Sequence, residues 1–324
     1  MLKPAFPLVV SAFLALAWVS SPVAAQYPQK PVRLVVPYAP GGGTDSIARL
    51  LAEKLAARLG QPVIVENKGG AGGIIGSDAV AKAPADGYTL LLAGVGPLAV
   101  SPSLLQKAPY QPTKDFVPIV KVSSAAMVFV TSSKKPGEGL KELVEYARNM
   151  PGQLTVANAG DGSAQHICAA MFTRSAGITV NHIAYKGAAN AITDLLGGNV
   201  QAFCDNVGTV RPFIQSGKLK PLAVSTRKRA EALPDVPTFE AQGLRGIDFS
   251  LWFMLVAPKG TPVEVVTRLN NEINAILKQP EVIQRLHDNG SEPAGGSATS
   301  ANQFFAKENA TLLEMVSAIG LTKH

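Results

Sequence analysis

The sequence predicts an α/β fold of two doubly wound lobes joined by two crossing strands. Three features predict it. Apolar, strand-length runs end repeatedly in glycine-rich loops that open helices, the rhythm of a parallel sheet with helices on both faces. The chain has 324 residues, more than one core usually holds. Two long apolar runs, 117–130 and 249–257, lack helical stop signals and suit a chain passing from one lobe to the other and back. The lobes expected are 26–125 with 250–324, and 126–249.

The first residues stand outside this fold. Lys3, the apolar run 5–19 and Val23-Ala24-Ala25 form a charged start, a hydrophobic region and a small-residue cleavage site. A leader over 1–25, cleaved after Ala25, is expected, and with it export to the periplasm. The run is too short for a comfortable membrane span.

Taken in order, 32–36 reads as a buried strand. It enters Pro37-Tyr38-Ala39-Pro40-Gly41-Gly42-Gly43-Thr44-Asp45 and then a helix in which Ala48, Leu51, Ala52, Leu55 and Leu59 recur at helical spacing before Gly60. A strand at 61–67, a second glycine loop at 68–73 and a helix through Ile74 and Val80 repeat the unit. A third strand, 88–93, ends in Gly94-Val95-Gly96-Pro97. After the first crossing run come a helix at 138–149, strand 154–158, loop 159–163, helix 164–175, strand 180–185, helix 190–196 and strand 200–204. Asp205-Asn206 opens a short helix, and 219–225 is another strand. After the second crossing run the tail is helical, at 263–277, 281–289 and 301–318. Loops at the carboxyl ends of parallel strands converge on one edge, where such sheets bind ligands.

The first glycine loop carries the functional expectation. Three consecutive glycines let a ligand approach the backbone closely. The loop ends at a helix N-terminus, where free N–H groups and the helix dipole favour an anion. A phosphate-binding P-loop would need Lys then Ser or Thr after the last glycine, and a dinucleotide fingerprint would need spaced glycines; neither is present. The loop is therefore expected to hold a carboxylate.

Composition excludes other classes. Formal charge is +7, with basic clusters only at Lys134-Lys135 and 227–229, and aromatic content is 6%. That is too dispersed and too poor in stacking residues for a nucleic-acid partner. His166, His182, His287 and His324 show no metal-ligand spacing with Cys168 and Cys204, and no metal or cofactor is expected. In an exported chain the two cysteines fit either a disulfide or two buried thiols.

An ordered set of motifs resembles the solute receptors of tripartite tricarboxylate transporters, the Bug or TctC family. The set comprises Tyr27-Pro28-x-Lys30-Pro31, the 40–45 loop, 65–73, Asp86-Gly87-Tyr88-Thr89-Leu90, 185–189 and Leu233-Pro234-Asp235-Val236-Pro237-Thr238. The resemblance implies a type II periplasmic-binding-protein fold with Venus-flytrap closure. It also implies delivery of a small carboxylate to a membrane permease of one large and one small subunit. Position by position it implies ligand contacts from Tyr38, Gly43, Thr44, Asp45, Ala93, Ser163, His166 and Asp205. Many relatives have apolar residues at the two cysteine positions, while one subgroup carries both; the paired occurrence implies a Cys168–Cys204 bond. The receptor is expected to act as a monomer.

Three or four charge-assisted hydrogen bonds at about 1.5–3 kcal/mol each suffice for micromolar binding, which needs about 8 kcal/mol, without an arginine in these loops. Asp45 has two candidate roles, capping the helix or selecting ligands with an ammonium group. Ser163 and His166, three apart, could act as nucleophile and base in an exported hydrolase. No G-x-S-x-G elbow is present, and a cap with a structural or ligand hydrogen bond is the favoured role. A protein presenting ligand to a membrane sensor would use the same cleft.

Overall fold

The computed structural model describes residues 27–133 and 139–321. The expected leader, Lys134-Lys135 and His324 lie outside the described residues.

Strand β1, Val32–Val36, buries every side chain except Arg33 and leads through the glycine loop into helix α1, Gly43–Leu59. Gly60 closes α1 in a left-handed conformation, its N–H donating to the Ala56 carbonyl. Strand β2 is Val63–Asn67, helix α2 is Ile74–Ala81, and strand β3, Thr89–Gly94, is buried throughout. The segment after β3 runs through a π turn at Gly96–Val100 and a 3₁₀ turn at Ser101–Leu104, neither of which sequence periodicity signals. A single helical turn, α3 (Pro112–Asp115), precedes the long strand β4, Phe116–Ser132.

The second unit then follows as α4 (Leu140–Asn149), β5 (Thr155–Asn158), α5 (Ala164–Ala176), β6 (Asn181–Ala184), α6 (Ala188–Gly197), β7 (Ala202–Asn206), α7 (Val207–Gln215) and β8 (Leu219–Val224). Strand β9, Ser250–Pro258, brings the chain back. Helices α8 (Val263–Leu277) and α9 (Pro280–Asp288), the short strand β10 (Ser291–Pro293) and α10 (Ala298–Ala318) complete it.

The sheet order is β2-β1-β3-β9-β4-β7-β5-β6, with β8 and β10 also pairing with β4. Pairings of β1 with β2 and β3, and of β5 with β6 and β7, are parallel, as the strand–loop–helix rhythm predicts. The two crossing strands add antiparallel pairings, so the sheet is mixed. Within β4, residues 116–126 pair with β9, while residues 127–131 pair with β7.

The two crossings meet at one buried residue. Ser225 Oγ accepts from the Met127 N–H at 3.1 Å and donates to the Phe249 carbonyl at 2.6 Å, next to the Ala126–Ser250 register pair. Each face of the second unit's sheet carries its own packing. Phe129 and Phe172 stack at 4.4 Å on the α5 side, while Leu195, Phe203 and Val210 share a core with α6 and α7. This is the doubly wound arrangement of two α/β lobes.

Candidate functional site

Gly41 adopts a φ of +90°, open to glycine at little cost. It places its N–H 3.0 Å from Asp45 Oδ2. Arg49 Nε donates to the same oxygen at 3.0 Å, and Asn67 Nδ2 donates to Oδ1 at 3.0 Å. Burial alone would raise the Asp45 pKa; the bonds from Arg49, Gly41 and Asn67 outweigh it and hold the carboxyl below its ordinary value. Asp45 thus fastens the loop upstream of α1. Gly42 is the N-cap of α1 and brings no side chain to it. Among the described residues, the amides of Gly42, Gly43 and Thr44 meet no protein acceptor. These are the free donors the glycine run predicts.

The amides open into a cleft between the lobes. It is lined from the first lobe by Tyr38, Gly43, Thr44, Asp45 and Gly94–Gly96, from the second by Ala159, Ala164, Gln165 and Ala188, and at the hinge by Leu251 and Phe253. Its water-accessible space is ≈ 30 Å³, room for a water or two. That space is too small for a carboxylic acid.

The expected site residues divide around this cleft. Tyr38, Gly43, Thr44 and Asp45 line it. Ala93 lies one residue short: it is fully buried in β3 opposite Met254, and Gly94 takes the lining position. Ser163 is fully buried as the N-cap of α5, its Oγ accepting the His166 N–H at 3.3 Å. His166 Nδ1 accepts the Gly162 N–H at 3.1 Å, and its ring meets His182 edge-on at 5.0 Å. These contacts serve the loop and the helix start.

Asp205 reaches the cleft through Gln165, whose Nε2 donates to Asp205 Oδ1 at 2.7 Å. Asp205 is 1% exposed, and burial pushes its carboxyl up to about 7 against the opposing bonds from Gln165 and the Asn206 backbone. Its Oδ2 has no partner among the described residues. The expected disulfide is present: Cys168 and Cys204 are bonded, joining α5 to β7 beside Gln165 and Asp205.

Sequence reasoning missed Gln165, Asn206 and Thr209. Asn206 Oδ1 accepts the Gly208 N–H at 2.7 Å as the cap of α7, while its Nδ2 is buried without a partner among the described residues. The Thr209 hydroxyl is likewise buried and unmatched among them. A Cβ on Gly43 would sit 3.3 Å from Thr209 Oγ1 and 3.4 Å from Asn206 Nδ2. The cap signal at Asn206 was legible, but its spare amide hydrogens were not.

Backbone meets backbone around the cleft. The Ala39 N–H reaches the Lys186 carbonyl at 3.4 Å across the lobes. A Cβ on Gly72 would fall 2.1 Å from the Asp161 carbonyl oxygen, and one on Gly208 would fall 2.2 Å from that of Asn289. A larger cavity of ≈ 480 Å³ lies among Arg211, Lys228, His287, Asp288 and Glu292. Arg211 faces Asp288 at 3.9 Å and His287 faces Glu292 at 3.1 Å there, and Lys228, Arg229 and Glu231 also line it; the candidate site is the cleft that holds the loop amides. Among the described residues no cluster could hold a metal ion, and no helix is long and apolar enough to cross a membrane.

The family model for the tripartite tricarboxylate transporter family receptor matches residues 47–321. Protein BugT of Bordetella pertussis is 39% identical over 302 residues, 93% of each chain. The solved structure of the periplasmic binding protein BugD superposes with a TM-score of 0.88 at 38% identity, covering 92% of this chain and all of that one. The structure of R. palustris Rpa4515 with adipate superposes at 0.89 with 32% identity, again over 92% of this chain and all of that one. These relatives and neighbours are solute-binding proteins, not enzymes, and the capping geometry of Ser163 and His166 agrees with that. The chain belongs to the tripartite tricarboxylate transporter receptor family.

Proposed function

We propose that the protein is a periplasmic receptor that captures a small carboxylate between its lobes and delivers it to the membrane permease of a tripartite tricarboxylate-type transporter. The lobes run over 26–125 with 250–324 and over 126–249, and the receptor acts as a monomer after its leader is cleaved at Ala25. One observation carries the binding half: the amides of Gly42, Gly43 and Thr44 are without protein acceptors at the start of a 17-residue helix, in a cleft between two hinged lobes. Donors at a partly buried helix start such as this favour an acceptor, and an anion at a helix N-terminus supplies one. The family description and the adipate complex of the R. palustris neighbour support the same ligand chemistry.

The ligand class follows from the lining. Leu251, Phe253, Val95 and alanines 164 and 188 offer an apolar wall, suited to the short hydrocarbon body of an aliphatic or aromatic acid. Thermal-shift screening of aliphatic dicarboxylates, amino acids and aromatic acids tests the proposal. A true ligand at one hundred times its Kd adds about 2.7 kcal/mol of stability. A panel in which no carboxylate shifts the transition would sink it.

A further inference from the structure

We infer that His166 is a pH switch: protonation at its Nδ1 breaks the bond that seats the 160–163 loop against the first lobe, so acid parts the lobes. The inference goes beyond the carboxylate reading and uses a side chain outside the cleft lining.

Three amides tie the loop. Gly160 donates to Asn158 Oδ1 at 2.8 Å, Ser163 to the Gly160 carbonyl at 3.0 Å, and Gly162 to His166 Nδ1 at 3.1 Å. Only the last acceptor belongs to a side chain that titrates near neutral pH. Because Nδ1 accepts, the neutral ring carries its hydrogen on Nε2. A second proton enters at Nδ1 and turns the acceptor into a donor that faces the Gly162 N–H. Asp161 Oδ1, 3.7 Å from Nδ1, is a carboxylate within reach of the new donor. The loop therefore has one bonding pattern with the neutral ring and another with the charged one.

The neighbouring elements bring two further ionisable groups. His182 of β6 meets the His166 ring edge-on at 5.0 Å, and Asp205 of β7 is bonded to the adjacent Gln165. Burial lowers the His182 pKa although Asp161 opposes it, and a charged His166 would disfavour a second positive ring further.

This loop is where the second lobe meets the first. A Cβ on Gly162, whose φ is +74°, would fall 2.6 Å from Ser101 Cα. One on Gly160 would fall 2.7 Å from the Gly72 nitrogen, and one on Gly96 would fall 3.2 Å from the Gly162 carbonyl oxygen. Backbone stands against backbone, with no side chain between to absorb a shift. The loop cannot rebuild around a charged His166 while this contact holds. By linkage, the arrangement in contact binds the proton more weakly than the parted one, and acid favours parting.

Hydrogen–deuterium exchange at pH 7.5 and 5.5 tests this on the wild type, His166→Asn and His182→Asn. Asparagine keeps an acceptor for the Gly162 N–H and cannot take the proton. A proton excluded from one arrangement, at an ordinary histidine value near 6.5, shifts the balance about ten-fold at pH 5.5. After correction for intrinsic rates, protection of 160–163 should fall by about five- to ten-fold in the wild type and in His182→Asn, and should not change in His166→Asn. L-Aspartate and benzoate stay ionised over this range. By calorimetry, whichever binds should bind about five- to ten-fold more weakly at pH 5.5, and His166→Asn should abolish that loss. If neither binds, the exchange result decides, since it needs no ligand. A wild type with no pH response, or a response unchanged in His166→Asn, overturns the switch. Should His166→Asn not fold, Asp161→Asn at an exposed position decides: it should move the exchange midpoint to lower pH, and an unmoved midpoint overturns the switch.

Discussion

Arg49 Nε and Asp45 Oδ2 lie 3.0 Å apart, one turn apart on α1, and the same carboxylate oxygen takes the Gly41 N–H. Asp45 therefore sets the loop and has its charge offset within the protein. Asp45 does not cap α1, whose N-cap is Gly42; it ties the upstream loop to the helix, and the selecting role is open to test. Asp45→Asn should cost about 1–3 kcal/mol, since Arg49 is half-exposed and its share of the attraction is screened. The sign with pH is defined. Asp45 has a native pKa below its unfolded value, so its contribution is complete above about pH 4 and disappears as pH falls through the native value. Urea titrations of both proteins should converge in acid. A gap that persists unchanged at low pH would refute the charge-based account. The variant should also keep the wild-type preference between aspartate and malate, and a lost preference would restore Asp45 as the selector.

Asp205 titrates with the opposite sign. Its native pKa is pushed up to about 7, against about 3.9 unfolded. Between those values the folded protein holds a proton that the unfolded chain has released, so stability falls as pH rises through the window. Asp205→Asn keeps an acceptor for Gln165 and cannot ionise. It should match the wild type near pH 4 and exceed it by about 1–3 kcal/mol at pH 8. Denaturant midpoints across this range provide the check, and a variant less stable at pH 8 would refute it.

The Cys168–Cys204 bond closes a separation of 36 residues, worth about 3–4 kcal/mol on the chain-entropy model. Its location adds a functional consequence. Gln165 is three residues before one cysteine and Asp205 directly follows the other, and the two share a 2.7 Å hydrogen bond at the cleft. Replacing both cysteines with alanine should lower the unfolding free energy by that amount and weaken carboxylate binding. Unchanged affinity in a destabilised variant would confine the bond to a structural role.

The parts of the molecule written in local pattern were legible in its sequence. The glycine run between β1 and α1 dictates an open helix start, and α8 has the bounds its apolar spacing predicts, Val263–Leu277. The two apolar crossing runs are β4 and β9. What the sequence concealed depends on contacts between distant segments. Strand β10 is three residues long and ends in Pro293; it exists because β4 offers a free edge at Ser123–Ala125. Gly94 replaces Ala93 in the cleft because strand pleat and register decide which neighbour faces outward. Asn206 and Thr209 read as the ordinary start of a helix. That their Nδ2 and Oγ1 atoms stay unmatched among the described residues shows only once the chain is folded.

Closure itself is testable at Gly208. Glycine is a poor helix residue, and alanine in a helix interior is favoured by roughly 1 kcal/mol, so Gly208→Ala should not harm α7 alone. Across the lobes the outcome reverses. The added Cβ would lie 2.2 Å from the carbonyl oxygen of Asn289, in the turn joining α9 to β10, and backbone there cannot swing aside like a flexible side chain. Asn289 is also held from within its own lobe, with Oδ1 taking the Ser46 hydroxyl at 3.3 Å and Nδ2 donating to the Arg285 carbonyl. The lobes must therefore stand apart by about the width of a methyl group. The variant should keep wild-type far-ultraviolet circular dichroism and show a larger radius of gyration by small-angle scattering. It should bind carboxylates at least ten-fold more weakly, though no ligand-contacting atom has changed. Because affinity in a closing receptor scales with the population of the competent form, radius and affinity should move together. A variant with the wild-type radius and wild-type affinity would show that α7 and the Asn289 turn do not set the closed distance between the lobes.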